Sequence, residues 1–230
     1  MIVDPTTPDP DRRPLGARHW RLSYALAEWL VRRGVSANTV SLAGMVAGVA
    51  AGLCLWRTAH ADATVQRLYW LAAAALIGLR GSANMLDGMV AVGSDKASPI
   101  GALYNDVPDR VSDVATLIGL GGAAGGDVVL GLVAALMAVL TAYVRAIGRA
   151  SGGPSAWDGP MAKTHRMALV VAVALCMAVA PAAAHPLGAA YGWPAIALLV
   201  IALGCAVTIA RRLRRIARAM AAGGGDVGAA

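Results

Sequence analysis

The stretch Asn84-Met-Leu-Asp87-Gly88-Met-Val-Ala91, followed by Gly101-Ala-Leu-Tyr-Asn105-Asp106-Val-Pro-Asp109-Arg110-Val-Ser-Asp113, sets carboxylates and carboxamides at the edge of long apolar runs. Elsewhere the chain is poor in acid. It has a single glutamate, Glu28, whereas Asp87, Asp106, Asp109 and Asp113 all fall within 27 positions. Acids bordering hydrocarbon are costly to desolvate, and where they occur they bind ions or substrates.

Composition sets the class of protein around this stretch. Apolar residues make up 58% of the 230, the mean hydropathy is +0.62 and phenylalanine is absent, which leaves too little polar surface for a soluble globule. The net charge of +7 would suit nucleic acid if the arginines covered one folded face. They stand instead at the ends of the apolar runs, as in membrane proteins, so nucleic acid is excluded as a partner. Runs long enough to cross about 30 Å of hydrocarbon as helices fall near 38–56, 67–86, 100–122, 126–147, 166–185 and 190–211.

The predicted fold is an all-α integral membrane protein, a six-helix transmembrane bundle over residues 35–215 with an N-terminal interfacial amphipathic helix over 18–34. In that helix Trp20, Tyr24, Ala27, Leu30 and Val31 recur at three- and four-residue intervals, and Arg18, Arg21, Arg32 and Arg33 reach lipid headgroups. Residues 1–17 form a polar tail without the apolar core of a cleavable signal, and 216–230 a flexible, Gly-rich tail. Cys54, Cys176 and Cys205 lie in separate apolar runs without metal-ligand spacing and read as small core residues.

Basic residues set the orientation. Arg12, Arg13, Arg18, Arg21, Arg32 and Arg33 precede the first run, Arg149, Lys163 and Arg166 lie between the fourth and fifth, and Arg211, Arg212, Arg214, Arg215 and Arg218 follow the sixth. The connections after the third and fifth runs contain no Lys or Arg. This pattern predicts a multi-pass protein of the inner or plasma membrane, with both termini and the acidic segment in the cytoplasm.

On a helix, Asn84 and Asp87 share a face, as do Asn105, Asp109 and Asp113. Carboxylate and carboxamide oxygens without neighbouring His or Cys suit a hard cation such as Mg2+ or Mn2+ and suit zinc or copper poorly. Gly88, Ala91 and Gly101 add small residues that let a ligand approach the backbone.

The spacing resembles the CDP-alcohol phosphatidyltransferase family, whose motif reads D-x2-D-G-x2-A-R-x8-G-x3-D-x3-D. Asp87, Gly88, Ala91, Gly101 and Asp109 match it in type and interval, while Asn84, Val92 and Asn105 stand where the family has Asp, Arg and Asp. Asn38-Thr-Val-Ser-Leu and Ala142-Tyr-Val-Arg145-Ala resemble the entry to the family's first helix and the end of its fourth. The resemblance implies that Asp87 and Asp109 ligate metal, with Asn84 and Asn105 as neutral ligands, and that Asp109 also serves as the catalytic base. It implies one or two Mg2+ or Mn2+ ions gripping the diphosphate of a CDP-diacylglycerol-like donor held near Asn84, Gly88, Ala91 and Gly101. Dimerisation is implied in the same way.

The two Asn positions remove about two negative charges, so either an ion binds more weakly or another acid substitutes. Asp113, on the Asp109 face, is the better substitute than Asp106; its other expected partners are Arg80 and Arg145. Arg145, Lys163 and Arg166 are candidates for binding a phosphate of donor or acceptor. The favoured function is transfer of a phosphatidyl group from a CDP-linked lipid to an alcohol with release of CMP, in phospholipid biosynthesis. The alternative is an attenuated relative that binds a CDP-lipid or assists another lipid enzyme. A transporter would hold its acids near mid-membrane, whereas these cluster at one end of their helices.

Overall fold

The computed structural model describes residues 21–93, 101–153, 159–180 and 191–223, and among them every regular element is helical. A short helix α1 (Arg21–Arg32) is followed by the longer α2 (Ala37–Arg57), α3 (Ala63–Gly93), α4 (Gly101–Gly121), α5 (Val128–Ala150), α6 (Lys163–Val179) and α7 (Trp193–Gly223). Helices α2, α5 and α7 are long and apolar enough to cross a membrane by length and composition. The expected tail over 1–17, the first residues of the expected interfacial helix and residues 224–230 lie outside the described residues. Where composition suggests a tail from 216, α7 continues to Gly223, and Ile216 is buried against Gly148 at the end of α5.

Local chemistry explains where the helices start and stop. Val35 donates to the Leu30 carbonyl at 3.0 Å across Gly34, whose φ of +72° closes α1 in the left-handed conformation. Ser36 then caps α2 by accepting from the Thr39 amide at 3.2 Å, and Asp127 caps α5 by accepting from Leu130 at 2.7 Å. Thr58, fully buried just past α2, accepts from the Ala124 amide at 3.0 Å and so ties that end to the connection after α4.

Packing follows membrane rules. On α5 the inward face carries Ala134, Ala135, Ala138 and Thr141, while Val129, Val133, Leu136 and Leu140 point outward. Large apolar groups outside and small ones inside are what lipid solvation permits and close helix contact requires. The densest seam joins α2 to α4: a Cβ built on Gly48 lands 2.6 Å from the Ser112 Cβ, one on Gly52 2.3 Å from the Ala115 carbonyl oxygen, and one on Gly119 2.2 Å from the Gly52 carbonyl oxygen. Gly44 and Gly48 are thus occupied within the bundle. Gly119→Ala is expected to lower stability by about 1–3 kcal/mol, read as a lower midpoint of unfolding in detergent. Gly81→Ala is the control, since an added Cβ there meets nothing within 4 Å.

Helix α1 packs on the far end of α3, where Ala27 joins Val40, Ala83, Leu86 and Val90 in a small apolar cluster. Its other side exposes Leu26 and Trp29, with the Arg33 guanidinium 5.2 Å above the Trp29 ring. This contact fixes the end of α3 that carries the acidic motif, next to the start of α2.

Candidate functional site

Helices α2, α3, α4 and α6 meet where the motif residues lie. Asp87 on α3 is 6% exposed, Asp109 on α4 7% and Asp113, one turn further, 2%. All three are too buried to be solvated surface charges, so each needs a partner.

The partner of Asp87 is neutral. Ser41, buried in the first turns of α2, donates from Oγ to Asp87 Oδ2 at 2.7 Å, with the Ala37 carbonyl at 3.2 Å as its other acceptor. The shorter contact is the charge-assisted one. Asp109 by contrast is surrounded by cations: Arg80 of α3 and Lys163 at the start of α6 both contact it, and Arg110 Nη2 lies 3.6 Å from Oδ2. Asn84 joins them. With its NH2 group turned toward Asp109, it donates to Oδ1 at 3.0 Å and to Oδ2 at 3.2 Å. The opposite orientation offers its oxygen only a 3.4 Å contact from Lys163, so two donations to a carboxylate decide the assignment.

Asp113 forms a closed pair with Arg166, Nη2 to Oδ2 at 2.9 Å, both side chains 2% exposed. Arg166 Nη1 donates to the Met161 carbonyl at 2.9 Å. The guanidinium facing Asp113 is therefore that of Arg166, not the Arg80 or Arg145 suggested by the sequence: Arg80 turns to Asp109 and Arg145 to Asp106, at 3.1 Å. Arg80 also donates from Nε to Ser112 Oγ at 3.1 Å. Its Nη1, packed beside Gly44, has no hydrogen-bond partner among the described residues.

Lys163 precedes the apolar run of α6. Burial, only partly offset by Asp113 and Asp87, brings its ammonium down to about 7. The same interactions place Asp87 and Asp113 in one electrostatic neighbourhood with Lys163, and direct contact adds Asp109 to it.

The expected site residues are therefore brought together in part. Asn84, Asp109 and Lys163 meet in one cluster, Asp87 lies close enough to Lys163 and Arg80 to act on both through its charge, Asp113 and Arg166 form a buried pair, and Arg145 pairs with Asp106, which is 55% exposed. Gly88 and Ala91 follow Asp87 on α3. The side chains of Asn105 and Val92 and the surroundings of Gly101 lie outside the described residues. Sequence reasoning did not single out Ser41 or Ser112, and it weighed Arg80 only as a partner for Asp113. The signal for Arg80 was present, since one arginine inside an apolar run must be buried and paired.

Among the described residues no group of three His, Cys, Asp or Glu side chains is gathered as a metal cage. The groups available to an ion are the carboxylates of Asp87 and Asp109 and the Asn84 carboxamide, whose oxygen is left on the side away from Asp109. Such a set fits a Mg2+-like ion that completes its coordination with water and substrate phosphates.

No protein-family model matches the chain. It is 29% identical over 203 residues to a phosphatidylinositol phosphate synthase of Mycobacteroides abscessus, covering 85% of this chain and 84% of that protein. It is 28% identical over 210 residues to a protein of the same name from Streptomyces avermitilis, covering 86% and 79%. Among solved structures it resembles Mycobacterium tuberculosis phosphatidylinositol phosphate synthase with CDP-DAG bound, at a TM-score of 0.67 and 21% identity, covering 86% of this chain and 94% of that one. A second structure of that enzyme, in complex with manganese and citrate, matches at 0.66 and 21% identity over 84% and 88%. In its motif intervals, its fold and its relatives the chain is similar to the CDP-alcohol phosphatidyltransferases.

Proposed function

We propose that the chain is a metal-dependent membrane enzyme that moves a phosphatidyl group from a CDP-linked lipid to an alcohol, releasing CMP, in phospholipid biosynthesis. The carrying observation is that Asn84 of α3 meets Asp109 of α4 beside Lys163, an ammonium that Asp87 also acts on through its charge, at the motif intervals of the family. Relatives named phosphatidylinositol phosphate synthases support the reaction class, and the manganese complex of the M. tuberculosis enzyme supports a divalent ion.

In this reading Asp87 and Asp109, with the Asn84 amide, hold a Mg2+ or Mn2+ ion. When bound, that ion neutralises the donor diphosphate and stabilises departing CMP. Asp109 receives the proton of the acceptor hydroxyl, and Arg80 and Asn84 orient its carboxylate. The backbone at Gly88 and Ala91 gives the nucleotide close approach, as Gly101 would from α4, where Asn105 would serve as a neutral ligand to the ion. Arg145, at the exposed edge, is placed to meet an acceptor phosphate. Asp113 and Arg166 hold the start of α6, and with it Lys163, against the cluster. A six-span arrangement with both termini and the cluster on the cytoplasmic side fits the distribution of Lys and Arg. Pairing of two chains, which the resemblance implies, would use outward faces, since Gly44 and Gly48 are occupied within the bundle.

The test is CMP release from CDP-diacylglycerol by the purified chain in detergent, against a panel of alcohols and sugar phosphates. Turnover is expected with Mg2+ or Mn2+, and stripping the ion with EDTA should lower it by roughly a hundredfold or more. A second reading, an attenuated CDP-lipid binder, draws on the Asn84 amide that faces Asp109 with its NH2 group. Metal-independent binding of CDP-lipid with no CMP release under any acceptor would favour that reading.

A further inference from the structure

Asp109 carries more positive charge around it than a metal-ligating carboxylate requires. Arg80 and Lys163 contact its oxygens, Arg110 approaches Oδ2 to 3.6 Å, and the Asn84 amide hydrogens take up further acceptor capacity. Across the whole cluster the carboxylates of Asp87, Asp109 and Asp113 face the cations of Arg80, Arg110, Lys163 and Arg166. The pocket thus has no surplus of negative charge before any ion enters. One divalent ion adds a charge that a bound diphosphate can cancel, whereas two would leave an excess in a largely desolvated site. Asn84, which links the helix of Asp87 to Asp109, is neutral and donates hydrogens to Asp109, so it supplies no charge to balance a second ion.

Lys163 cannot easily leave this place. It is the first residue of α6, and one turn later Arg166 is fixed by Asp113, the Met161 carbonyl and a 3.9 Å contact to Cys205 Sγ. Its attachment point is therefore rigid while its ammonium reaches Asp109.

We propose that the Lys163 ammonium is a built-in counter-cation of Asp109, and that the chain in consequence holds one divalent ion rather than a pair. The inference rests on the phosphatidyltransferase reading and specifies its metal stoichiometry.

The experiment titrates Mn2+ alone into the purified full-length chain in detergent, counting free ion by its EPR signal. Wild type should bind one Mn2+. Lys163→Gln should either gain a second site or bind Mn2+ tighter by about tenfold or more, while Lys163→Arg, which keeps the charge, should titrate like wild type. Asn84→Asp with Lys163 intact should remain at one ion, and Asn84→Asp combined with Lys163→Gln should hold two. Two ions in wild type, or a Lys163→Gln titration identical to wild type, would overturn the proposal. Two ions together with CMP release would remove this inference alone; no bound Mn2+ and no CMP release would remove the parent reading as well.

Discussion

Asp87→Asn is expected to lower CMP release by roughly a thousandfold or more while leaving expression and thermal unfolding in detergent close to wild type. The asymmetry follows from the neighbours of Asp87. Its hydrogen-bond partner is the neutral Ser41 hydroxyl at 2.7 Å, so a carboxamide of the same shape keeps that bond and strands no cation. What is lost is the charge proposed to grip an ion. Asp109→Asn should be equally inactive but should also unfold more readily, because Arg80 and Lys163 would lose the anion they face. The pair of variants thus separates chemistry from folding. Wild-type turnover by Asp87→Asn would contradict the assignment of that residue.

The largest effect on stability is expected at the pair Asp113–Arg166. Both side chains are 2% exposed and 2.9 Å apart. Arg166→Met should cost about 3–5 kcal/mol, since removing one partner of a buried pair leaves the other charge desolvated and unmatched. Asp113→Leu together with Arg166→Met should recover much of that loss, as apolar replacement of both partners often does. Arg166 also holds the Met161 carbonyl at 2.9 Å, so recovery is expected to be incomplete. The measurement is the midpoint of thermal or denaturant unfolding for both single variants and the double. A double variant no more stable than the worse single one would show that the pair acts through something other than mutual neutralisation.

These two sites also show what a chain reveals before it is folded. Apolar run length is a local property, so the run over 126–147 locates α5, Val128–Ala150, and the run over 38–56 locates α2, Ala37–Arg57. Interval is local too: the spacing from Asn84 to Asp109 marked the motif, and both of those residues meet in the folded chain. Partner choice is not local. Asp113 and Arg166 are 53 positions apart, and whether Asp113 faces Arg80, Arg145 or Arg166 depends on how α4 and α6 pack. Ser41 is 46 positions from Asp87, and nothing in a common helical serine announces that contact. The end of α7 was hidden for the same reason: Ile216 is held by the space over Gly148, which belongs to another helix.

The lone Arg80 illustrates the intermediate case. Its presence inside an apolar run signalled a buried partner, but that the partners are Asp109 and Ser112 depends on how α3 packs against α4. Departures from the family motif are likewise visible as letters and intelligible only as geometry. Asn84 reads as a weakened ligand, yet in the folded chain its amide hydrogens hold Asp109.

The central claim is that Asp87 and Asp109 jointly face one divalent ion at a CDP-lipid site. Its most direct test is a structure determined from crystals of the chain grown with Mn2+ and CDP, with data collected at the manganese absorption edge. An anomalous peak within coordination distance of both carboxylates, beside the nucleotide diphosphate, is the predicted result. A peak elsewhere, or CDP bound with no manganese between α3 and α4, would contradict the account.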